Sequence, residues 1–121
     1  MEDVLELVKE ATTGIARARR FSLTLPVRYR TMGSEHWNQG KTENVSCTGM
    51  LIRAGERMDV NQEVEVVLVL EVDVVGEVSP EVLCLGHVVR KLDPVPTSPF
   101  AKLAVRIQDY HFPGEVTLAS A

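Results

Sequence analysis

Residues 44–52 of this 121-residue chain read Asn-Val-Ser-Cys-Thr-Gly-Met-Leu-Ile. Side chains alternate between the two faces of a strand, so we expect Asn44 and Ser46 to share one face while the intervening residues point to the core. An amide beside a hydroxyl can hydrogen bond to phosphate or to the edge of a base. Gly49 can adopt a positive φ and lets a ligand or a backbone segment approach closely. The stretch therefore predicts a strand that ends at a glycine turn and carries a polar ligand-binding pair.

Apolar residues recur at every second position on both sides of this stretch. Leu23, Leu25, Val27 and Tyr29 predict a half-buried strand. Further strands are expected at residues 42–47, 50–53, 63–72, 82–92 and 100–110. Loops are expected at residues 33–40, 73–81 and 94–99. Six short strands with turn signals between them indicate a mainly β fold, an antiparallel barrel or sandwich.

The chain termini follow other patterns. Apolar residues that include Val4, Leu7 and Ala11 form one stripe at helical spacing, which predicts an amphipathic α-helix over residues 1–16. The helix either packs on the barrel or serves as a docking or dimerisation element. Residues 113–121 are short and mixed in character, and we expect a C-terminal tail there.

Composition limits the class of protein. The chain is 45% hydrophobic and 25% charged with a net charge of −4, which fits one soluble domain and disfavours general DNA coating. Its longest charge-free apolar run, Val66 to Leu70, is too short to cross a bilayer. The acidic N-terminus lacks the basic region of a signal peptide. Cys47 and Cys84 match no metal or redox spacing, so we expect reduced thiols and a cytoplasmic protein.

The charges are unevenly distributed along the chain. Residues 17–30 hold five arginines and no acid, whereas residues 54–81 hold eight acids and one base. An arginine cluster in an acidic domain favours a local site for a small phosphorylated ligand. The alternative is a solvated junction between helix and strand. The acidic segment is either a docking face or a solvated surface.

Patterns typical of catalysis or metal binding do not occur. His36, His87 and His111 have no metal-ligand spacing. Ser46 is not in a Gly-x-Ser-x-Gly turn, and no Walker or Rossmann glycine loop is present. We therefore expect no metal, no cofactor and no enzymatic activity. The few aromatic residues are not interleaved with the arginines, which disfavours nucleic acid, and Trp37 either covers the barrel or contacts a partner.

The order of these features over residues 17–112 resembles the PilZ domain family. The resemblance rests on Asn-x-Ser-x-x-Gly at 44–49, Leu-Pro-Val-Arg-Tyr at 25–29, Gly-x-Val-Val-Arg at 86–90 and Ala-Val-Arg-Ile at 104–107. It implies a six-stranded β-barrel and binding of the bacterial second messenger cyclic di-GMP. By this resemblance Asn44 and Ser46 would bond to guanine or phosphate, and Gly49 would permit close approach.

The family also has an Arg-x-x-x-Arg motif before its first strand. Arg20 stands where the second arginine of that motif is expected, and Ala16 stands at the first. The resemblance therefore implies that Arg20 contacts the ligand, with Arg17 or Arg19 as a stand-in for the missing arginine. A guanidinium can hold phosphate or guanine bidentately and can stack on a base, which alanine cannot do.

The resemblance implies a stand-alone bacterial signalling adaptor. It would bind cyclic di-GMP and act on a protein partner in the control of motility, surface structures or exopolysaccharide. The alternative is a degenerate PilZ-like protein-interaction module without cyclic di-GMP binding, which Ala16 supports. The two readings differ in whether Arg17 or Arg19 reaches a ligand over Asn44 and Ser46. An ion pair that holds these arginines elsewhere favours the second reading.

Overall fold

The computed structural model of the chain describes residues 19–55, 58–70 and 81–111, together with Val4, Glu6, Leu7, Lys9 and Glu10. Its strands are β1 (Pro26–Thr31), β2 (Asn38–Ser46), β3 (Gly49–Ala54), β4 (Glu63–Val69), β5 (Glu81–Leu92) and β6 (Lys102–His111). They form a closed barrel in the order β1-β2-β3-β6-β5-β4, and every neighbouring pair is antiparallel. The predicted six-stranded antiparallel barrel is confirmed.

The core lies inside the barrel because alternate side chains of the strands point inward. Ile52, Val66 and Val88 are completely buried, and Tyr29 and Met50 are nearly so. Each buried aliphatic side chain contributes roughly 1.5–3 kcal/mol relative to an exposed one. This packing makes the barrel a firm support for side chains on its outer face.

Two strands begin three or four residues away from the positions that the sequence predicted. The first strand starts at Pro26 rather than at Leu23, and β2 starts at Asn38 inside the predicted 33–40 loop. The polar residues at the start of β2 pair with β1, as in the Val27–Gly40 pair, and so form a longer hairpin than alternation indicated. Pairing with a neighbour extends a strand into a polar segment that has no alternation of its own.

The segment before β1, residues 19–25, is called the linker here; it lies against β2 without forming a strand. Thr42 is fully buried, and its Oγ1 accepts a hydrogen bond from the backbone N–H of Leu25 at 2.9 Å. The same hydroxyl donates to the carbonyl oxygen of Leu23 at 2.6 Å. The Thr42 side chain thus satisfies backbone N–H and C=O groups of linker residues that are not paired in the sheet.

The predicted terminal elements lie mostly outside the described residues. The helix expected over 1–16 stays a prediction, although Val4 and Leu7 are buried and belong to the hydrophobic core cluster. Glu10 is also buried, with 4% of its surface exposed. The tail expected at 113–121 falls wholly outside the described part of the chain. Among the residues described, no helix has the length and apolar character needed to cross a membrane.

Candidate ligand-binding groove

Arg20 is held beside β2 by the residue that follows it. Phe21 and Val45 exchange two backbone hydrogen bonds, of 2.8 and 2.9 Å, in an isolated antiparallel bridge. With its backbone placed in this way, Arg20 donates a hydrogen bond from Nη1 to Oδ1 of Asn44. Two of the residues predicted for the site therefore meet, across the boundary between linker and barrel.

A groove of about 600 Å³ lies beside this pair on the outer surface of the barrel. Its lining includes Arg20, Asn44 and Gly49 from the predicted site, together with Arg90 and Arg106 from β5 and β6. No described residue in its lining is acidic. The volume lies within the range of about 300–1,000 Å³ that is usual for small-molecule sites.

The strand register explains how residues distant in sequence come together here. One row across four strands consists of Asn44, Leu51, Ala104 and Arg90, each directly opposite the next. Neighbouring strands are roughly 4.8 Å apart, so the ends of this row are about 14 Å apart. The row therefore has a polar end, a cationic end and small apolar side chains between them, on which a flat ligand can lie.

A second row runs parallel to the first, two residues further along β2. It consists of Ser46, Gly49, Arg106 and His87. Gly49 is buried in this row and has no side chain, so it places no side chain between Ser46 and Arg106.

The close approach predicted at Gly49 is present, but it comes from a strand. Gly49 begins β3 rather than ending β2, and a Cβ at this position would lie 2.8 Å from the carbonyl oxygen of Val105 on β6. Among the described residues a positive φ occurs at Gly33 and Asn61, so Gly49 does not use the left-handed region. The glycine is required because β3 and β6 approach too closely for a side chain.

Ser46 is turned into the β2–β3 turn. It is 2% exposed and is not among the groove-lining residues. Its Oγ accepts hydrogen bonds from the backbone N–H groups of Thr48 at 3.3 Å and Gly49 at 3.2 Å. The Tyr110 hydroxyl supports the same turn by donating to the carbonyl oxygen of Cys47. Ligand contact by Ser46 stays a prediction, and the contacts that it makes here belong to the turn.

Arg19 points away from the groove. Its Nε lies 2.8 Å from Glu10 Oε2 and its Nη2 lies 3.0 Å from Glu6 Oε2. Its backbone N–H also donates to Glu10 Oε1 at 3.1 Å. The hydrogen bonds from Arg19 to Glu10 lower the pKa of Glu10, and the one from the backbone N–H has the largest effect. In turn, the side-chain hydrogen bond to Glu10 raises the pKa of Arg19. Arg17, the other proposed stand-in, lies outside the described residues.

The remaining arginines of the basic segment belong to a different face. Arg28 pairs with Glu81 at 2.9 Å and Arg30 pairs with Glu65 at 3.1 Å. The Arg30 guanidinium also lies 4.1 Å from the centre of the Trp37 ring. Trp37 therefore packs on the outside of β1, and the basic cluster predicted from the sequence is divided between two faces of the barrel.

Burial disfavours the thiolate form of both cysteines. Cys47 and Cys84 are both free and buried. Burial raises the pKa of Cys84 to about 12, so its thiol stays protonated near neutral pH. In the part of the chain that the structure describes, no three His, Cys, Asp or Glu side chains form a group that could hold a metal ion.

The sequence analysis missed the contributions of β5 and β6 to the groove. Arg90 and Arg106 lie within strand patterns that it used for the fold, but nothing local in sequence assigns them to the Asn44 site. The sequence does contain one chemical signal for these two arginines. Each is the sole charged residue among several apolar ones in its strand segment, at residues 86–90 and 103–107.

Comparisons with known proteins agree with this architecture. The family model of the PilZ domain matches residues 15–111. No curated protein sequence matches the chain significantly. The structure of the Bacillus subtilis inhibitor of motility, MotI/DgrA, matches with a TM-score of 0.65 and 15% identity, over 86% of this chain and 47% of that one. The crystal structure of the PilZ domain of CeSA from a cellulose-synthesizing bacterium matches with a TM-score of 0.53 and 17% identity, over 75% and 81% of the two chains.

The family-model match covers most of the chain, and the chain therefore belongs to the PilZ domain family. At their low identities the two structural matches show the shared fold, and this chain spans about half the length of MotI/DgrA. PilZ domains are cyclic di-GMP-binding receptor and adaptor modules rather than enzymes.

Proposed function

We propose that this chain is a bacterial cyclic di-GMP receptor that acts on a protein partner without catalysis. The observation that supports the proposal is the groove in which Arg20, Asn44 and Gly49 meet. The groove combines a cationic guanidinium, an amide and a glycine that adds no side chain to the lining. Guanidinium groups hold phosphate oxygens and the O6/N7 edge of guanine bidentately, and cyclic di-GMP offers both groups.

Family membership and the two structural relatives support an adaptor role. One relative is an inhibitor of motility and the other is the PilZ domain of CeSA from a cellulose-synthesizing bacterium. We propose that the output is control of motility or of exopolysaccharide, exerted through a protein partner in the cytoplasm. Arg19 and Arg20 are adjacent, and one binds Glu10 near the N-terminus while the other lies in the groove. A ligand that shifts Arg20 within the groove would therefore also act on the N-terminal segment.

A second candidate is a protein-interaction module that has lost nucleotide binding. The ion pairs of Arg19 with Glu10 and Glu6 favour it, because they hold a proposed stand-in arginine away from the groove. Ala16 removes the family's first arginine as well. This candidate predicts no binding of cyclic di-GMP at all.

Isothermal titration calorimetry of the chain with cyclic di-GMP separates the two candidates. The receptor reading predicts saturable micromolar binding that Arg20→Ala weakens about 30-fold, since a charge-assisted hydrogen bond contributes about 2 kcal/mol. Arg28→Ala is the matched control, because Arg28 lies on β1, opposite β6 in the barrel order, and is paired with Glu81. Absence of heat and of thermal stabilisation at millimolar ligand would overturn the receptor reading and support the interaction module.

A further inference from the structure

The arginines of the described chain fall into two groups with different surroundings. Those outside the groove each have a glutamate partner within 3.1 Å; they are Arg19, Arg28, Arg30 and Arg53. The groove arginines have no carboxylate partner among the described residues; they are Arg20, Arg90 and Arg106. Arg20 donates to the neutral Asn44 amide. The backbones of Arg90 and Arg106 belong to the β5–β6 ladder, but their guanidinium groups make no hydrogen bond or ion pair in the described part of the chain.

This separation is notable in a domain that contains more acid than base. The chain has 17 Asp and Glu against 13 Lys and Arg, so a carboxylate partner for an arginine is easily available. Arg90 and Arg106 lie on neighbouring strands at diagonal positions, since Arg90 is opposite Ala104 and Arg106 is opposite His87. Diagonal neighbours on one sheet face are within reach of each other when their side chains are as long as arginine, so two like charges there repel each other unless an anion lies between them.

The backbone that carries these two arginines has two special features. A β-bulge between Val88 and Arg90 shifts the register, and both Val89 and Arg90 are exposed. At Gly86 an added Cβ would lie 2.0 Å from the carbonyl oxygen of Arg106, so β5 lies unusually close to the Arg106 backbone. The strands thus fix the backbone positions of both arginines. Less conformational entropy is then lost when an anion binds to their side chains.

We propose that Arg90 and Arg106 are phosphate-binding residues of the groove and supply the positive charge that Ala16 does not. This proposal rests on the proposed function, and it assigns the cationic side of the site to β5 and β6 rather than to the linker alone. The ligand class is a nucleotide with at least two phosphate charges, which Arg20 meets from the linker and the two strand arginines meet from the barrel. The apolar surface of Leu51 and Ala104 between them takes the flat face of a base.

The test uses Arg90→Gln, Arg106→Gln and the double variant in calorimetry with cyclic di-GMP, beside the control Arg28→Gln. Each groove variant is expected to lose about 10-fold to 100-fold in affinity, as for a hydrogen bond to a charged group. The melting temperature without ligand is expected to stay unchanged or to rise, because the variants relieve repulsion between unpaired cations. A merely structural role would instead lower the melting temperature, so this readout separates the two roles.

Failure of this inference is distinguishable from failure of the proposed function. If cyclic di-GMP binds and Arg20→Ala weakens it while the double variant binds as the wild type does, Arg90 and Arg106 are not ligand-binding residues and the receptor function stands. If the wild type does not bind cyclic di-GMP, inorganic pyrophosphate is titrated while the arginine Nε–Hε resonances are followed by NMR. Saturable shifts at Arg90 and Arg106 would uphold the phosphate site alone, and unchanged resonances would overturn it.

Discussion

Arg20 and Asn44 are 24 positions apart in sequence, and a hydrogen bond from the Arg20 guanidinium to the Asn44 side-chain oxygen joins the linker to β2. The neighbouring Phe21–Val45 bridge holds the backbone in this arrangement. The two side chains that we propose as ligand-binding are thus already joined to each other. Preorganisation of this kind reduces the conformational entropy that is lost when a ligand binds.

Replacing Asn44 by alanine is expected to weaken cyclic di-GMP binding by about tenfold with little loss of stability. The amide is half-buried, and it anchors Arg20 as well as facing the groove. Calorimetry and thermal melting of the same samples measure the two effects. Gln39→Ala is a matched control, since Gln39 is an exposed amide residue on the same strand, opposite Arg28. Equal losses of affinity in both variants would contradict the assignment.

Substitution of Ser46 by alanine is expected to act on stability first. It removes an acceptor that the backbone N–H groups of Thr48 and Gly49 use inside a buried turn. We expect the free energy of unfolding to fall by about 1–3 kcal/mol, the cost of leaving buried donors unsatisfied. Urea denaturation measures this change. A variant that keeps full stability but loses ligand affinity would show that Ser46 contacts the ligand directly.

Gly49→Ala is expected to lower stability by about 1–3 kcal/mol, because inserting a methyl group into a tight contact forces backbone shifts. The added Cβ would lie 2.8 Å from the Val105 carbonyl oxygen. Gly55→Ala is the control, since a Cβ there meets nothing within 4 Å and the residue has no positive φ. Denaturation of the two variants should give a large difference. Equal stabilities would mean that β3 and β6 separate easily at this point.

The Arg19–Glu10 contact is expected to make the N-terminal segment sensitive to acid. Hydrogen bonds from Arg19, the backbone N–H first, lower the pKa of Glu10 in the folded protein. The ionised form is therefore the one that the fold stabilises. Its contribution is fully present above the unfolded-state pKa of about 4.3 and is lost as the pH falls through the lower folded-state pKa.

An NMR titration of the Glu10 side-chain carboxyl carbon measures this pKa directly, and its midpoint should lie below the ordinary glutamate value. Glu10→Gln should remove this part of the pH dependence of stability while leaving the rest of the acid denaturation curve in place. A Glu10 midpoint at or above the ordinary value would contradict the ion pair.

Sequence reasoning predicted those parts of the site that depend on local pattern. The barrel follows from alternation and turn placement, whereas the ligand contacts of Arg20 and of the Asn-x-Ser-x-x-Gly stretch rest on the resemblance to the PilZ family and stay predictions. Ser46 was predicted from alternation as a surface residue, but the turn after β2 competes for its hydroxyl. The alternation of side chains along a strand does not show that a backbone turn will take up the hydroxyl.

The strand arginines could not be assigned to the site in advance, for a reason of topology. Arg90 lies in the same row as Asn44 through the Ala104 and Leu51 pairs, which join β5 to β6, β6 to β3 and β3 to β2. Such pairs depend on the closure of the barrel and on a bulge near Val89, and neither leaves a periodic signal in the sequence. The division of the basic segment between Arg20 and the ion-paired Arg28 and Arg30 has the same origin.

The central claim is that cyclic di-GMP binds in the groove formed by the linker, β2, β3, β6 and β5. Chemical-shift mapping by two-dimensional NMR during titration with cyclic di-GMP tests both the binding and its location. We expect saturable shifts at the Asn44 side-chain amide and at the backbone amides of Gly49 and Arg106, with the Trp37 indole unchanged on the opposite face. An absence of shifts, or shifts confined to the Trp37 face, would contradict the account.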